Sequence, residues 1–217
     1  MHIVHYKPQQ DVCLICFKPL LKEISLLNYV LPVPICSCCY HQFEVLNMTI
    51  HFHHHPLTIL YKYNEFFQGL LYQYKGLHDH ALKDAFVSAI KCQCFIHFKD
   101  YIIVPTPSSE DDNRIRGFSP MEEIAKALSS RIFTGLYKKE NYKQSNLSFE
   151  ERKNVSDKLG IHHKNELTHQ KVLIIDDVFT SGSTLKACLD LVLTANPQKV
   201  ELLVLSTKRT REELLKI

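Results

Sequence analysis

The chain has no tryptophan, no low-complexity segment and no internal repeat, so its 217 residues do not read as a repeat array or a linker protein. Its first ten residues, MHIVHYKPQQ, lack the apolar core and small-residue cleavage site of a secretory signal. No apolar run approaches the length of a membrane span. These two absences make a cytoplasmic chain without a transmembrane segment the expectation. A strong charge of either sign is missing too. With 26 Lys and Arg against 23 Asp and Glu, the formal net charge is +3, which by itself implies no partner. There is also no Gly-x-x-x-x-Gly-Lys, and that removes the Walker type of nucleotide loop.

Histidine and cysteine are what the chain has in plenty, 13 and 8 residues. Partial protonation of the histidines makes the surface more basic below neutral pH. Clustered cysteines in a chain without a signal read as metal ligands rather than disulfides. Cys13-Leu-Ile-Cys16 and Cys36-Ser-Cys-Cys39 are two CxxC knuckles with nineteen residues between them. Four thiolates so spaced can converge on one tetrahedral structural Zn²⁺, with Cys13, Cys16, Cys36 and Cys39 as ligands and Cys38 as the spare thiol. Residues 1–47 are therefore expected to form a small zinc-binding module, too short to bury a sufficient core without such a staple, and residues 48–217 the main domain. The cluster His51, His53, His54, His55 has no cysteine or paired carboxylate beside it, so a solvated loop or strand edge is preferred to a second metal site. Cys92 and Cys94 are too closely spaced for a knuckle and read as ordinary thiols.

The chain is organised around KVLIIDDVFTSGST, Lys171 to Thr184. Val172 to Ile175 is an apolar, β-branched run, as in a strand buried on both faces of a parallel sheet. Asp176 and Asp177 follow at once, then the small-residue turn Thr180-Ser181-Gly182-Ser183-Thr184. Leu185, Cys188, Leu189 and Val192 then open a helical period. Backbone N–H groups at a helix start favour an anion, and Gly182 permits close backbone approach. The two aspartates can accept hydrogen bonds from vicinal sugar hydroxyls or hold Mg²⁺ beside them. Adjacent carboxylates at the end of a buried strand are costly unless they serve a ligand.

Around this stretch the expected elements fall in order. Tyr40 to Leu46 reads as a short helix and Leu57 to Tyr63 as a strand. Asn64 caps a helix burying Phe66, Leu70, Leu71 and Tyr74, stopped by a left-handed Gly76. Lys75 at its end is a candidate for a diphosphate, or an ordinary lysine complementing the helix dipole. Asp79 caps a second helix. Tyr101 to Val104 is a buried strand running into Pro105-Thr106-Pro107-Ser108-Ser109, and a proline-stiffened loop there is where an open α/β sheet places ligand groups. Arg114 and Arg116 read as a basic loop, solvated or, at the mouth of a site, able to pair with a diphosphate. Ser119 and Glu122 suggest a capping box on a helix from Pro120 to about Arg131. Strands are expected over 135–139 and 199–205, a short helix capped by Ser148 and Glu151, and a charged tail from Thr207.

The stretch from Lys171 resembles the phosphoribosyl-diphosphate (PRPP) signature of type I phosphoribosyltransferases. That resemblance implies an α/β fold, an open and mostly parallel sheet with helices on both faces, preceded here by the zinc module. It implies that Asp176 and Asp177 take the ribose hydroxyls, that Thr180 to Thr184 cradle the 5-phosphate, and that Mg²⁺ accompanies PRPP. Purine-type members carry a third carboxylate where this chain has Thr180, so the turn looks closer to the orotate type. Four features together resemble the ComF/ComFC competence family: the double knuckle, Tyr-Lys-Gly around Lys75, VPTPSS…RIRGFSP from Val104 to Pro120, and KQSNLSFEERKNV at Lys143 to Val155. Where that family usually has Arg-Gly-Phe-Asn-Gln, this chain has Ser119 and Pro120 in the last two places. The family implies a role in uptake of single-stranded transforming DNA, beside a helicase-like partner at the inner face of the membrane. The type I resemblance implies, as the alternative, an enzyme moving ribose 5-phosphate from PRPP to a nitrogen acceptor.

Overall fold

The fold is built outward from the strand that carries the two aspartates. The structure is a computed structural model describing residues 12–20, 34–88, 90, 96–139 and 158–216. In chain order these residues form α1 (Ser37–Tyr40), β1 (Val45–Phe52), β2 (His55–Lys62), α2 (Glu65–Lys75), α3 (Lys83–Val87), β3 (Tyr101–Pro105), α4 (Glu110–Arg116) and α5 (Pro120–Leu128). They continue with β4 (Leu136–Lys138), β5 (Leu159–Ile161), β6 (Lys171–Phe179), α6 (Ser183–Leu193), β7 (Lys199–Thr207) and α7 (Arg211–Leu214). Five strands make one sheet in the order β1-β2-β7-β6-β3; β4 and β5 form a separate antiparallel pair. Within the five, only the β1–β2 hairpin is antiparallel. This is the mixed α/β, mostly parallel architecture expected from the sequence.

Alternation along the central strands sends side chains into two cores. Leu173, Ile175, Leu203 and Leu205 join Phe67, Tyr74, Phe86 and Ile124 of α2, α3 and α5. Val172, Ile174, Leu202 and Val204 join Leu185, Cys188, Leu189 and Val192 of α6. β6 and β7 are covered on both faces, which is why they read as continuous apolar runs rather than alternating ones. The cysteine knuckles belong to the first core, where Cys13, Leu14, Ile35, Cys39 and Phe43 are buried.

Several local expectations change. The helix expected over Tyr40 to Leu46 stops at Tyr40, and β1 begins at Val45. The histidine cluster lies across the β1–β2 hairpin, with His53 and His54 at φ 47° and 67° in its turn. β1 alternates strictly, with Leu46, Met48, Ile50 and Phe52 inward and Asn47, Thr49 and His51 outward, a strand period that the expected helix overlooked; its turn carries no glycine to mark the hairpin. Gly76 is right-handed, at φ −92°. A Cβ there would sit 2.9 Å from the Tyr72 ring and carbonyl, so glycine serves close approach, and the left-handed turn falls to His78. Asp79 does cap, accepting from Ala81 N–H, but over a 3₁₀ turn (His80–Leu82) that precedes α3. Ser119 makes no side-chain cap on α5; Pro120 occupies the first turn, where no N–H donor is needed, and the helix ends at Leu128. The expected basic loop is helix α4, closed by Gly117 at φ 83°. The tail forms α7 under a Thr210–Glu213 capping box. Cys92, Cys94, and the segment Lys143 to Val155 with its Ser148–Glu151 cap, lie outside the described residues.

Candidate functional site: paired aspartates at the sheet edge and a cysteine cluster

The site exists because β3 stops before β6 does. Pairing between them ends at Pro105 opposite Ile175, with one further bond from Thr106 N–H to the Ile175 carbonyl. β6 continues to Phe179, held by β7 alone. Asp176 and Asp177 therefore lie inside the strand, on a stretch whose other flank is open. The chain leaves β3 toward α4 and α5 on one face and leaves β6 toward α6 on the other. The crevice between two such strand ends is where open α/β sheets bind ligands. Here it is a cleft of about 400 Å³, lined among others by Lys75, Thr106, Arg116, Asp176, Asp177, Thr180 and Thr184.

The two carboxylates have different surroundings. Asp176 Oδ1 accepts from the Thr106 hydroxyl at 2.7 Å and from the Asp177 N–H at 3.0 Å. Burial and the adjacent Asp177 charge push the Asp176 carboxyl up to about 7. Asp177 Oδ2 accepts from Lys75 Nζ at 2.6 Å. Burial works against its charge as well, but the Lys75 ammonium outweighs it and holds Asp177 below the usual carboxylate range. Lys75 is placed by its own backbone: Arg116 Nε donates to the Lys75 carbonyl at 2.8 Å, and the Tyr74 hydroxyl donates to the Pro120 carbonyl at 2.8 Å. Those bonds tie the end of α2 to α4 and α5.

The turn after β6 is shaped by contacts the sequence did not announce. Gly182 sits at φ 78° as the N-cap of α6. A Cβ there would lie 2.8 Å from the rings of both Phe52 and Phe179, which pack edge to face at 5.4 Å. The Ser183 N–H donates to Ser181 Oγ at 3.3 Å, and the two serine oxygens are 2.9 Å apart. The turn thus offers hydroxyls and the free N–H groups of a helix start, chemistry suited to a phosphate.

Of the residues singled out from sequence, Lys75, Arg116, Asp176, Asp177, Thr180 and Thr184 meet at one cleft, with Ser181, Gly182 and Ser183 in its turn. Arg114 is not among the lining residues: its side chain is 76% exposed and faces Asp111 at 3.7 Å. Arg116 lines the cleft while spending Nε on a carbonyl. Thr106, Asp112 and Lys138 line it as well. Thr106 lay in the proline loop flagged from sequence. Lys138, at the end of a three-residue strand, carried no signal.

The four cysteines Cys13, Cys16, Cys36 and Cys39 form a second cluster, with all four Sγ atoms within 4.8 Å of one another. Cys16 and Cys36 sulfurs are 3.6 Å apart. Sulfurs on one tetrahedral zinc, bonded at about 2.3 Å, stand about 3.8 Å apart, so the spacing fits that ion. Burial would raise the Cys13 thiol, but N–H groups of Cys16, Cys36 and Ile15 turned toward its sulfur bring it down to about 6. Burial and the neighbouring thiols push Cys39 up. A cation is what lets all four be thiolates together. Cys38 is exposed and stands outside the group. Among the described residues the histidines at 51–55 join no such cluster, and no helix is long and apolar enough to cross a membrane.

Residues 115–216 match the family model of the phosphoribosyl transferase domain. That stretch holds α5, β6, the turn, α6 and β7 of the mixed α/β, mostly parallel fold. No curated protein matches the chain. Among solved structures it is similar to a hypoxanthine-guanine phosphoribosyltransferase from Bacillus anthracis, at 13% identity and TM-score 0.37, covering 62% of this chain and 74% of that one. It is also similar to a hypoxanthine phosphoribosyltransferase from Staphylococcus aureus, at 14% identity and TM-score 0.35, covering 59% and 68%. Superpositions this loose bear on neither substrate nor mechanism.

Proposed function

We propose that this chain is a phosphoribosyltransferase-like protein that binds PRPP with Mg²⁺, and that it serves natural competence, in the uptake or processing of single-stranded transforming DNA. The observation that carries the first part is the juxtaposition at the end of β6. Two carboxylates, one ionised against Lys75 and one held by Thr106, face a hydroxyl-rich turn at a helix start across a single cleft. A phosphorylated ribose fits that chemistry at both ends. Asp176 and Asp177 receive the 2- and 3-hydroxyls, and Thr180 to Thr184 receive the 5-phosphate. Lys75 and Arg116 stand where a diphosphate would need cations. Oxygens of the two aspartates not engaged by Thr106 or Lys75 are the protein groups that would hold Mg²⁺, whose charge would offset that of the diphosphate.

The competence role rests on the resemblance carried by the knuckles and the Val104 to Pro120 stretch. A helicase-like partner and an inner-membrane location belong to that proposal. The alternative is an active transferase: the bond between C1 of PRPP and the diphosphate oxygen breaks, its electron pair leaving with diphosphate, a nitrogen acceptor bonds to C1, and the acceptor's proton passes to solvent or to the departing diphosphate. Thr180 provides no carboxylate base, so such an enzyme would work by placing its reactants and stabilising charge.

Calorimetric titration of the intact protein with PRPP and Mg²⁺ tests the central reading, with Asp177→Ala alongside. Wild-type binding and its loss in the variant, at unchanged circular dichroism, are the expected results; retained affinity in the variant refutes the ribose assignment. Diphosphate release in a panel of nucleobases would identify the transferase. Absence of binding to labelled single-stranded DNA at low salt would remove the DNA role.

A further inference from the structure

The residue that completes the phosphate turn comes from the far end of the chain. The Lys-Arg pair after β7 reads from sequence as part of a charged tail. The structure brings it back against the β6 turn. Thr207, the buried last residue of β7, donates its hydroxyl to the Phe179 carbonyl at 2.9 Å and accepts from the Arg209 N–H at 3.1 Å. This pair of hydrogen bonds at one hydroxyl fixes where Arg209 leaves the sheet. Its side chain then lies over the Phe179 ring, with the guanidinium carbon 5.3 Å from the centroid, and Nε donates to the Thr180 carbonyl at 2.7 Å.

Among the described residues no other cationic side chain is hydrogen-bonded to the turn, although Lys138 lines the same cleft from β4. Lys186, in the first turn of α6, is engaged by both oxygens of Asp190, at 2.5 and 2.6 Å. Lys75 and Arg116 are engaged on the α2 side, by Asp177 and by the Lys75 carbonyl. Arg209 donates only Nε to the turn; its two terminal nitrogens make no hydrogen bond to a described residue. A guanidinium held by Nε and one ring face keeps a free edge for an anion.

We propose that Arg209 is a positioning residue for the 5-phosphate end of the ligand. It pins the Thr180 carbonyl, so that the turn keeps its N–H and hydroxyl groups outward, and it supplies the positive charge that the turn itself lacks. This rests on the PRPP reading above. It divides the cations by ligand end: Lys75 and Arg116, which line the cleft, for the diphosphate, and Arg209, which holds the Thr180 carbonyl and is not itself a lining residue, for the monoester phosphate. The ligand class that depends on Arg209 is therefore any ribose 5-phosphate, with or without a diphosphate at C1.

The test is titration of wild type, Arg209→Ala, Arg209→Lys and Lys75→Ala with PRPP plus Mg²⁺ and with ribose 5-phosphate, with melting temperatures recorded for each. Arg209→Ala is expected to weaken both ligands by the same factor, tenfold or more, with its melting temperature unchanged. Arg209→Lys, which keeps charge but not the fork, should recover part of that loss. Lys75→Ala should weaken PRPP much more than ribose 5-phosphate. Unchanged affinity in Arg209→Ala, or a loss confined to PRPP, overturns the proposal while leaving PRPP binding intact. So does a loss that accompanies a lowered melting temperature and is not recovered by lysine. If wild type binds neither sugar phosphate, the PRPP reading falls, and this inference with it.

Discussion

The molecule gathers like charges in two places and neutralises them in different ways. At Cys13, Cys16, Cys36 and Cys39, four thiols crowd within 4.8 Å, and among the described residues no basic side chain is hydrogen-bonded to them. At Asp176 and Asp177 the crowding is relieved from within: Lys75 pairs with one carboxylate, and the other is pushed up to about 7. A cluster without such a counter-charge would depend on an external ion to hold its thiolates together. A cluster with a built-in lysine can fold without ligand and keep one acid adjustable. On the proposal above the first would be a structural staple and the second a binding site, and the contrast can be tested from either side.

The largest effect should come from the metal. Chelation, or Cys39→Ser, should remove about one equivalent of zinc and unfold the knuckles, since binding of such an ion is itself folding free energy of order 10 kcal/mol. Metal analysis with circular dichroism and melting checks this, and a metal-free protein with unchanged melting would erase the distinction between the clusters. Next is pH. Because Asp176 titrates higher in the folded state than its ordinary 3.8, the folded protein holds its proton more tightly, and that stabilisation is lost as pH rises from about 4 through about 7. Asp177 is shifted the other way, so its contribution is lost only below about pH 4. Asp176→Asn should flatten the slope between pH 4 and 7 and gain about 2 kcal/mol above pH 7 in urea unfolding. An unaltered slope would mean that the pair is not frustrated.

Gly182→Ala should cost about 1–3 kcal/mol, from a positive φ plus a Cβ driven into Phe52 and Phe179. Gly117→Ala, at a similar φ of 83° but with nothing within 4 Å, isolates the backbone part, and equal losses in thermal melts would show the ring contact to be slack. The smallest change belongs to Arg114→Ala. Its exposed pair with Asp111 is worth less than about 0.5 kcal/mol, and PRPP affinity should not move. A clear loss in titration would return Arg114 to the site.

How much was legible differs by element. Val172 to Ile175 announced a buried strand because so short an apolar run, closed by two acids, suits an element covered on both faces, and all four residues are fully buried. Asn64 announced its cap because its side-chain carbonyl does accept the Phe67 N–H, at 2.9 Å. β1 was legible in the alternation of Leu46, Met48, Ile50 and Phe52 with Asn47, Thr49 and His51; only the contact of Phe52 with the turn at Gly182 lies far along the chain. α4 was misjudged as a loop because none of its residues is buried, so it has no apolar stripe to read.

Spacing alone specified the four cysteines and the order strand, two acids, small-residue turn, helix, because a metal knuckle and an anion-binding turn are local devices in which neighbours along the chain supply the chemistry. Which cations serve the acids and the turn was decided only in three dimensions. Lys75 is 102 residues from Asp177 and Arg209 is 29 from Thr180. Nothing in the composition of a lysine or arginine says which carboxylate or carbonyl it will reach; the register of β6 against β3 and β7 does, by ending one strand early and carrying the other on.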